Sequence, residues 1–185
     1  MALATIVGIS GSLRQGSLNG MLLHAAAALP LQDARIEIAT IKGIPLYDGD
    51  LEAASGLPQA VRDLKERIAA ADGLLLVSPE YNNSIPGVFK NAIDWLSRPA
   101  DDIPRVFGNR PVALLGATPG SGGTMLAQAA WLQVLRTLGM RFWAGPRMQL
   151  SRAHKIFDES GRLTDEASAK RLQDFVSGFA DFVRA

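Results

Sequence analysis

The sequence predicts a three-layer α/β/α domain built on a five-stranded parallel sheet in the order 2-1-3-4-5. Three observations carry that reading. Short apolar runs alternate with helical patterns along the whole chain, giving βαβαβαβαβα with no internal repeat. Two of the runs, 74–77 and 112–116, are apolar throughout, as strands covered on both faces must be. The polar stretches 10–17, 78–87 and 117–123 each follow a run directly, where the carboxyl ends of parallel strands gather and ligands bind. Right-handed crossovers leave few other arrangements.

In order, the first strand is expected at 5–9 and the first helix at about 17–28, ended by Pro30. The second strand, 35–41, alternates Ile36 and Ile38 with charged or small residues, as nearer a sheet edge. The stretch 42–56, with Ile44-Pro45-Leu46-Tyr47-Asp48, is long for a plain connection and reads as a functional loop. A helix follows at 57–71, with Pro58 in its first turn. Strand 74–77 leads to a helix at 86–97, and strand 112–116 to a helix at 124–138. The fifth strand is the least distinct: 141–144, with 148–150 beyond it. A last helix is expected at 164–183, capped by Thr164 or Asp165.

Composition narrows the function. A chain of 185 residues, 48% apolar, reads as one domain spanning 1–185. A net charge of +1 gives no sign of a nucleic-acid surface. With no cysteine, thiol catalysis, disulfides and Cys-based metal sites are excluded. His24 and His154 lack ligand spacing, so no metal is expected. No signal peptide and no membrane span is evident, and a cytoplasmic protein is the default.

The loop after the first strand reads Ser10-Gly11-Ser12-Leu13-Arg14-Gln15-Gly16-Ser17-Leu18-Asn19. Glycines let the backbone turn its N–H groups toward one point, and the helix start adds free donors and partial positive charge. Such a cup suits a phosphate. It is one residue from a Walker A loop, but Ser17 stands where that loop needs Lys, and no G-x-G-x-x-G is present. A terminal monophosphate fits better than a nucleoside triphosphate; the ordinary alternative is a βα loop with Ser17 as N-cap. The second loop, Ser78-Pro79-Glu80-Tyr81-Asn82-Asn83-Ser84-Ile85-Pro86-Gly87, is stiffened by two prolines and can present main-chain groups to a flat heteroaromatic edge. Its ordinary reading is a turn that caps the following helix through Ser84. The third, Ala117-Thr118-Pro119-Gly120-Ser121-Gly122-Gly123-Thr124, opens a helix and forms a second anion-stabilising end.

Together these residues resemble the NADPH-dependent FMN reductase family within the flavodoxin-like superfold, most closely its quinone and chromate reductase branch. Gly11-Ser12-Leu13-Arg14, Ser17 and Asn19 match its phosphate loop; Pro79-Glu80-Tyr81-Asn82, Ser84, Pro86-Gly87 and Lys90 to Trp95 match its second signature. The likeness spans nearly the whole chain. It departs at 125–131, where the branch usually has Arg and then Tyr and this chain has Met125 to Trp131; the departure bears on contacts between dimers of a homotetramer. The resemblance implies bound FMN, NADPH or NADH as hydride donor, and small-molecule acceptors: quinones, flavins, azo compounds, chromate or ferric species. It implies that Ser10, Ser12, Arg14, Ser17 and Asn19, with Leu18 in the same loop, hold the phosphate. Pro79, Glu80, Tyr81, Asn82 and Ser84 would line the isoalloxazine, and Thr118, Gly120 and Gly122 would border its pyrimidine end.

The absence of a Ser–His–Asp set, a carboxylate dyad or a metal cluster agrees with chemistry carried by a cofactor, so no catalytic residue is expected. Glu80 reads as a residue that aligns backbone rather than as an acid; a solvated loop side chain is the alternative. Arg98, Arg105 and Arg110 read first as surface charge. A flavodoxin-type electron carrier is the competing function, but such carriers are strongly acidic and this chain is near neutral. Donor and acceptor are expected to share one site in ping-pong order. The helix at 124–138 is apolar at nearly every angular position, which predicts a homodimer on the helices at 86–97 and 124–138 with Trp131 as anchor. The alternative is that the last helix covers this face.

Overall fold

The computed structural model describes residues 3–185. Its parallel sheet runs in the order β2-β1-β3-β4-β5, with β6 also paired to β4. The strands are β1 (Ala4–Ser10), β2 (Ala34–Ala39), β3 (Gly73–Val77), β4 (Pro111–Ala117), β5 (Arg141–Phe142) and β6 (Met148–Leu150). This is the flavodoxin-like order. The fifth position is split: β5 pairs with β4 at Pro111–Val112, and β6 pairs with it at Leu115–Ala117. The residues between them leave the ladder, which is why that strand has no continuous apolar run.

The helices are α1 (Leu18–Ala27), α2 (Gly49–Ser55), α3 (Gln59–Ala69), α4 (Gly87–Leu96), α5 (Ile103–Val106), α6 (Met125–Thr137) and α7 (Glu166–Arg184). Because strand side chains alternate between faces, β3 sends Leu74 and Leu76 to one side and Leu75 and Val77 to the other. The first side packs against α3, α4, α5 and α6 through Val61, Ile68, Phe89, Trp95, Val106 and Leu135. The second packs against α1 and α7 through Leu22, Leu23, Leu172, Phe175 and Phe179. The last helix therefore lies across the sheet from α6 and does not cover its outer face.

Several expectations change. The stretch 42–56 holds a helix, α2, started by Asp48, whose side chain accepts from Asp50 N–H at 2.9 Å. It buries no residue, so it leaves no apolar periodicity to read. The 57–71 helix begins only after Pro58. The last helix begins at Glu166 and is capped by Asp165, one of the two expected caps, whose carboxylate accepts from Ser168 N–H at 2.8 Å. The α4 helix takes Pro86 as its N-cap with no side-chain bond, so Ser84 does not cap it. Trp131 is not an interface anchor. It is fully buried, edge-on to Phe89 with ring centres 5.0 Å apart, and its Nε1 donates to Ser78 Oγ at 2.9 Å. Exposed apolar surface on α6 comes from Met125, Leu126 and Leu132 instead. Among the described residues no helix is long and apolar enough to cross a membrane.

Candidate functional site

Each loop begins as a one-residue continuation of the sheet. Gly11 N–H donates to Val77 O, Ser78 N–H to Leu115 O and Thr118 N–H to Leu150 O, all at 2.9 Å. The three loops therefore leave the sheet level with one another. They enclose a crevice of about 410 Å³ lined by Ser12, Arg14, Gly16, Ser17, Leu18, Asn19, Pro79, Glu80, Tyr81, Ala117, Thr118, Pro119 and His154.

In the first loop, Ser17 is the N-cap of α1 and its Oγ accepts from Gly20 N–H at 3.3 Å. Gly16 has φ 65°, a left-handed turn that favours glycine. Gly11 is required for a different reason: a Cβ there would lie 2.2 Å from Phe89 Cδ1. The Ser10 side chain stays at the end of β1, where its Oγ takes Ser12 N–H at 3.4 Å, and it does not line the crevice. Asn19 is buried, its amide largely committed: Nδ2 donates to Ala117 O at 2.8 Å and Oδ1 accepts Ala117 N–H at 2.9 Å. One Nδ2 hydrogen is left for a ligand.

The second loop is a tight turn. Tyr81 and Ser84 exchange backbone hydrogen bonds at 3.1 Å in both directions, with Asn82 (φ 49°) and Asn83 (φ 61°) left-handed between them. That is the two-residue hairpin geometry asparagine tolerates best. Asn82 and Ser84 thus shape the turn, while Pro79, Glu80 and Tyr81 face the crevice. In the third loop Thr118 lines the crevice. Gly120 lies outside it, its carbonyl taking Arg152 N–H at 2.8 Å, and Gly122 accepts from Met125 N–H at 3.3 Å.

His154 is the residue that sequence reasoning set aside. Arg152 N–H and Ala153 N–H bind Gly120 O and Thr118 O, which lays the 152–155 segment along the third loop. That places His154 in the same crevice as Arg14 and Ser12. The signal was its position just after a strand, visible only once β6 is known to pair with β4.

The second signature has a further task. Asn91 Nδ2 and Trp95 Nε1 both donate to Pro45 O, at 2.8 and 2.9 Å, and Asn91 Oδ1 accepts Tyr47 N–H at 2.8 Å. These bonds pin the strap 44–48 to α4 and leave Leu46 79% exposed. Tyr47 donates to Glu52, which Arg98 also binds; the Arg98 guanidinium holds the Glu52 carboxyl below its usual range, and the Glu52 bond raises the Tyr47 hydroxyl. Arg105 pairs with Asp102 and Glu66, and Arg110 donates to the carbonyls of Val106, Ala71 and Ala69. All three arginines are thereby engaged within the chain.

A polar cup at the end of β1, a stiff loop opposite and a helix start beside it can hold an elongated ligand with an anionic end and a flat body. The comparisons agree with that shape. A family model described as NADPH-dependent FMN reductase matches residues 4–155. An NAD(P)H-dependent FMN reductase of Pseudomonas aeruginosa is 43% identical over 179 residues, covering 97% of this chain and 95% of that one. A 2-hydroxy-1,4-benzoquinone reductase of a Burkholderia species is 40% identical over 184 residues, covering 100% and 98%. Among solved structures, the flavoenzyme NAD(P)H:(acceptor) oxidoreductase FerB of Paracoccus denitrificans superposes with a TM-score of 0.87 at 35% identity, covering 98% of this chain and 97% of that one.

Proposed function

The chain belongs to the NADPH-dependent FMN reductase family, and from that premise we propose that it is an NAD(P)H-dependent FMN and quinone reductase whose cofactor sits in the three-loop crevice. The observation that carries the reading is the convergence of Ser12, Arg14 and Ser17 with Pro79, Tyr81 and Thr118 in one crevice. Its volume falls within the roughly 300–1,000 Å³ of small-ligand sites. The donor set fits FMN: two hydroxyls, a guanidinium and the start of α1 suit a monophosphate, and the Pro79–Tyr81 wall suits the ring.

Bound FMN supplies hydride acceptance from NAD(P)H and hydride donation to an acceptor. The protein binds and orients. Arg14 supplies the charge-assisted contact to the phosphate, with His154 as an additional wall of the same pocket. Asn19 and Ala117 hold the first and third loops in register, and Ser10 steadies the first loop through Ser12. Asn82 and Ser84 keep Tyr81 in place; Thr118 borders the pyrimidine end, with Gly120 and Gly122 in the backbone turn behind it. Quinones and flavins are the first acceptors to expect, with azo compounds, chromate and ferric species after them. With one crevice for donor and acceptor, varying each should give parallel steady-state lines; intersecting lines would reject the shared site.

A homodimer on α4 and α6 completes the reading, with Val88, Met125, Leu126, Leu132 and Leu46 as the exposed apolar groups that need a partner. A homotetramer is the larger assembly to look for. The first experiment is the visible spectrum of the purified protein after addition of FMN and gel filtration. Flavin absorption co-eluting with the protein supports the reading, and none retained rejects it.

A further inference from the structure

Glu80 differs from its neighbours in what its carboxylate binds. Ala127, the third residue of α6, donates its N–H to Glu80 Oε2 at 2.9 Å. The first N–H groups of a helix have no acceptor within it, and its N-terminus carries roughly half a positive charge. The N-cap side chain ordinarily meets one of these donors. In α6 the N-cap is Thr124, which is left-handed at φ 68° and makes no capping bond. Its fully buried hydroxyl instead accepts from Gln128 Nε2 at 3.1 Å. The cap of α6 is therefore supplied across space, from the second loop. Trp131 binding to Ser78 joins the same two elements a second time. Glu80 also lines the crevice, so a full negative charge is fixed where the helix would otherwise present a positive end.

We propose that Glu80 is a positioning residue that cancels the positive end of α6 and so lowers the reduction potential of FMN held in the crevice. The inference rests on the proposed function. Reduced flavin is anionic near N1 and O2, and a bare helix N-terminus would favour it. The carboxylate offsets that attraction. Lower potential makes the reduced cofactor a stronger hydride donor to the acceptor, while the driving force for its reduction by NAD(P)H becomes smaller. One hydride, carrying both electrons, comes from NAD(P)H and leaves with the acceptor, which takes its remaining proton from solvent; Glu80 exchanges no atom.

Two variants separate charge from bond. Glu80→Gln keeps an acceptor oxygen for Ala127 and loses the charge. Glu80→Asp keeps the charge and is one methylene too short for the bond. By equilibrium titration of the FMN-loaded protein against redox dyes, Glu80→Gln is expected to raise the ratio of reduced to oxidised FMN affinity about tenfold, which is about 30 mV for a two-electron couple. Glu80→Asp should not raise that ratio but should lower the unfolding temperature of the apo-protein, which Glu80→Gln should leave near wild type. An unchanged ratio in Glu80→Gln overturns the proposal, as does loss of oxidised FMN from that variant, since only charge has been removed. A wild-type protein that takes up no FMN overturns the proposed function itself, and this inference with it.

Discussion

The Asn19 side chain and the Ala117 main chain form a two-way hydrogen-bonded pair, at 2.8 and 2.9 Å, across 98 residues of sequence. The pair ties the first turn of α1 to the end of β4, so the first and third loops share one support. Asn19 is 4% exposed, and removing its amide leaves a buried N–H and C=O without partners. Asn19→Leu is expected to lower the unfolding free energy of the apo-protein by about 2–4 kcal/mol. Urea melts of the two proteins measure it, and coincident curves would show that the pair holds nothing together.

Gly11 meets Phe89 at the floor of the first loop. A methyl group there would sit inside the ring, 2.2 Å from Cδ1, and the neighbouring Trp131 leaves the ring little room to retreat. Gly11→Ala should cost about 1–3 kcal/mol, the scale of overpacking a core. The double variant Gly11→Ala with Phe89→Leu should recover part of that loss. Strict additivity in thermal unfolding would argue against the contact.

The buried ammonium of Lys65 is paired with Asp102 at 2.7 Å and with the Arg98 carbonyl, and Asp102 is also bound by Arg105. Arg105 first, and Lys65 next, hold the Asp102 carboxyl well below the usual carboxylate range. A carboxyl depressed on folding stabilises the native state above its unfolded value, about 3.9, and loses that contribution as pH falls toward its folded value. Asp102→Asn should therefore cost about 3 kcal/mol at pH 7, leaving a buried charge poorly paired. The gap to wild type should hold steady down to about pH 5 and narrow below about pH 4. A gap that widens on acidification would contradict this assignment.

Much of this architecture was legible because burial on both faces writes itself as uninterrupted apolar runs, as in Leu74 to Val77 and Val112 to Leu115. The three loops could be placed at one end of the sheet for the same reason. What was hidden depended on partners distant in sequence. Trp131 looks the same in sequence whether it faces a partner subunit or Phe89 and Ser78. A polar residue in a phosphate-type loop, such as Asn19, does not reveal that its amide reaches Ala117. The α2 helix buries nothing, and the split fifth strand hid the turn that carries His154 into the crevice.

Trp131 gives a direct test of that distinction. Trp131→Ala should destabilise the fold by about 3–5 kcal/mol, as large core truncations do. Trp131→Phe should be milder and should keep the oligomeric state of the wild type in light scattering. Loss of association without loss of stability would restore Trp131 to an interface.

The phosphate cup is tested most directly by calorimetric titration of the apo-protein with FMN and with riboflavin, for wild type and Arg14→Ala. FMN is expected to bind wild type much more tightly than riboflavin does. Arg14→Ala should weaken FMN by about 1.5–3 kcal/mol, the scale of a charge-assisted hydrogen bond, and leave riboflavin unchanged. Equal affinities of FMN and riboflavin for the wild-type protein would contradict the account.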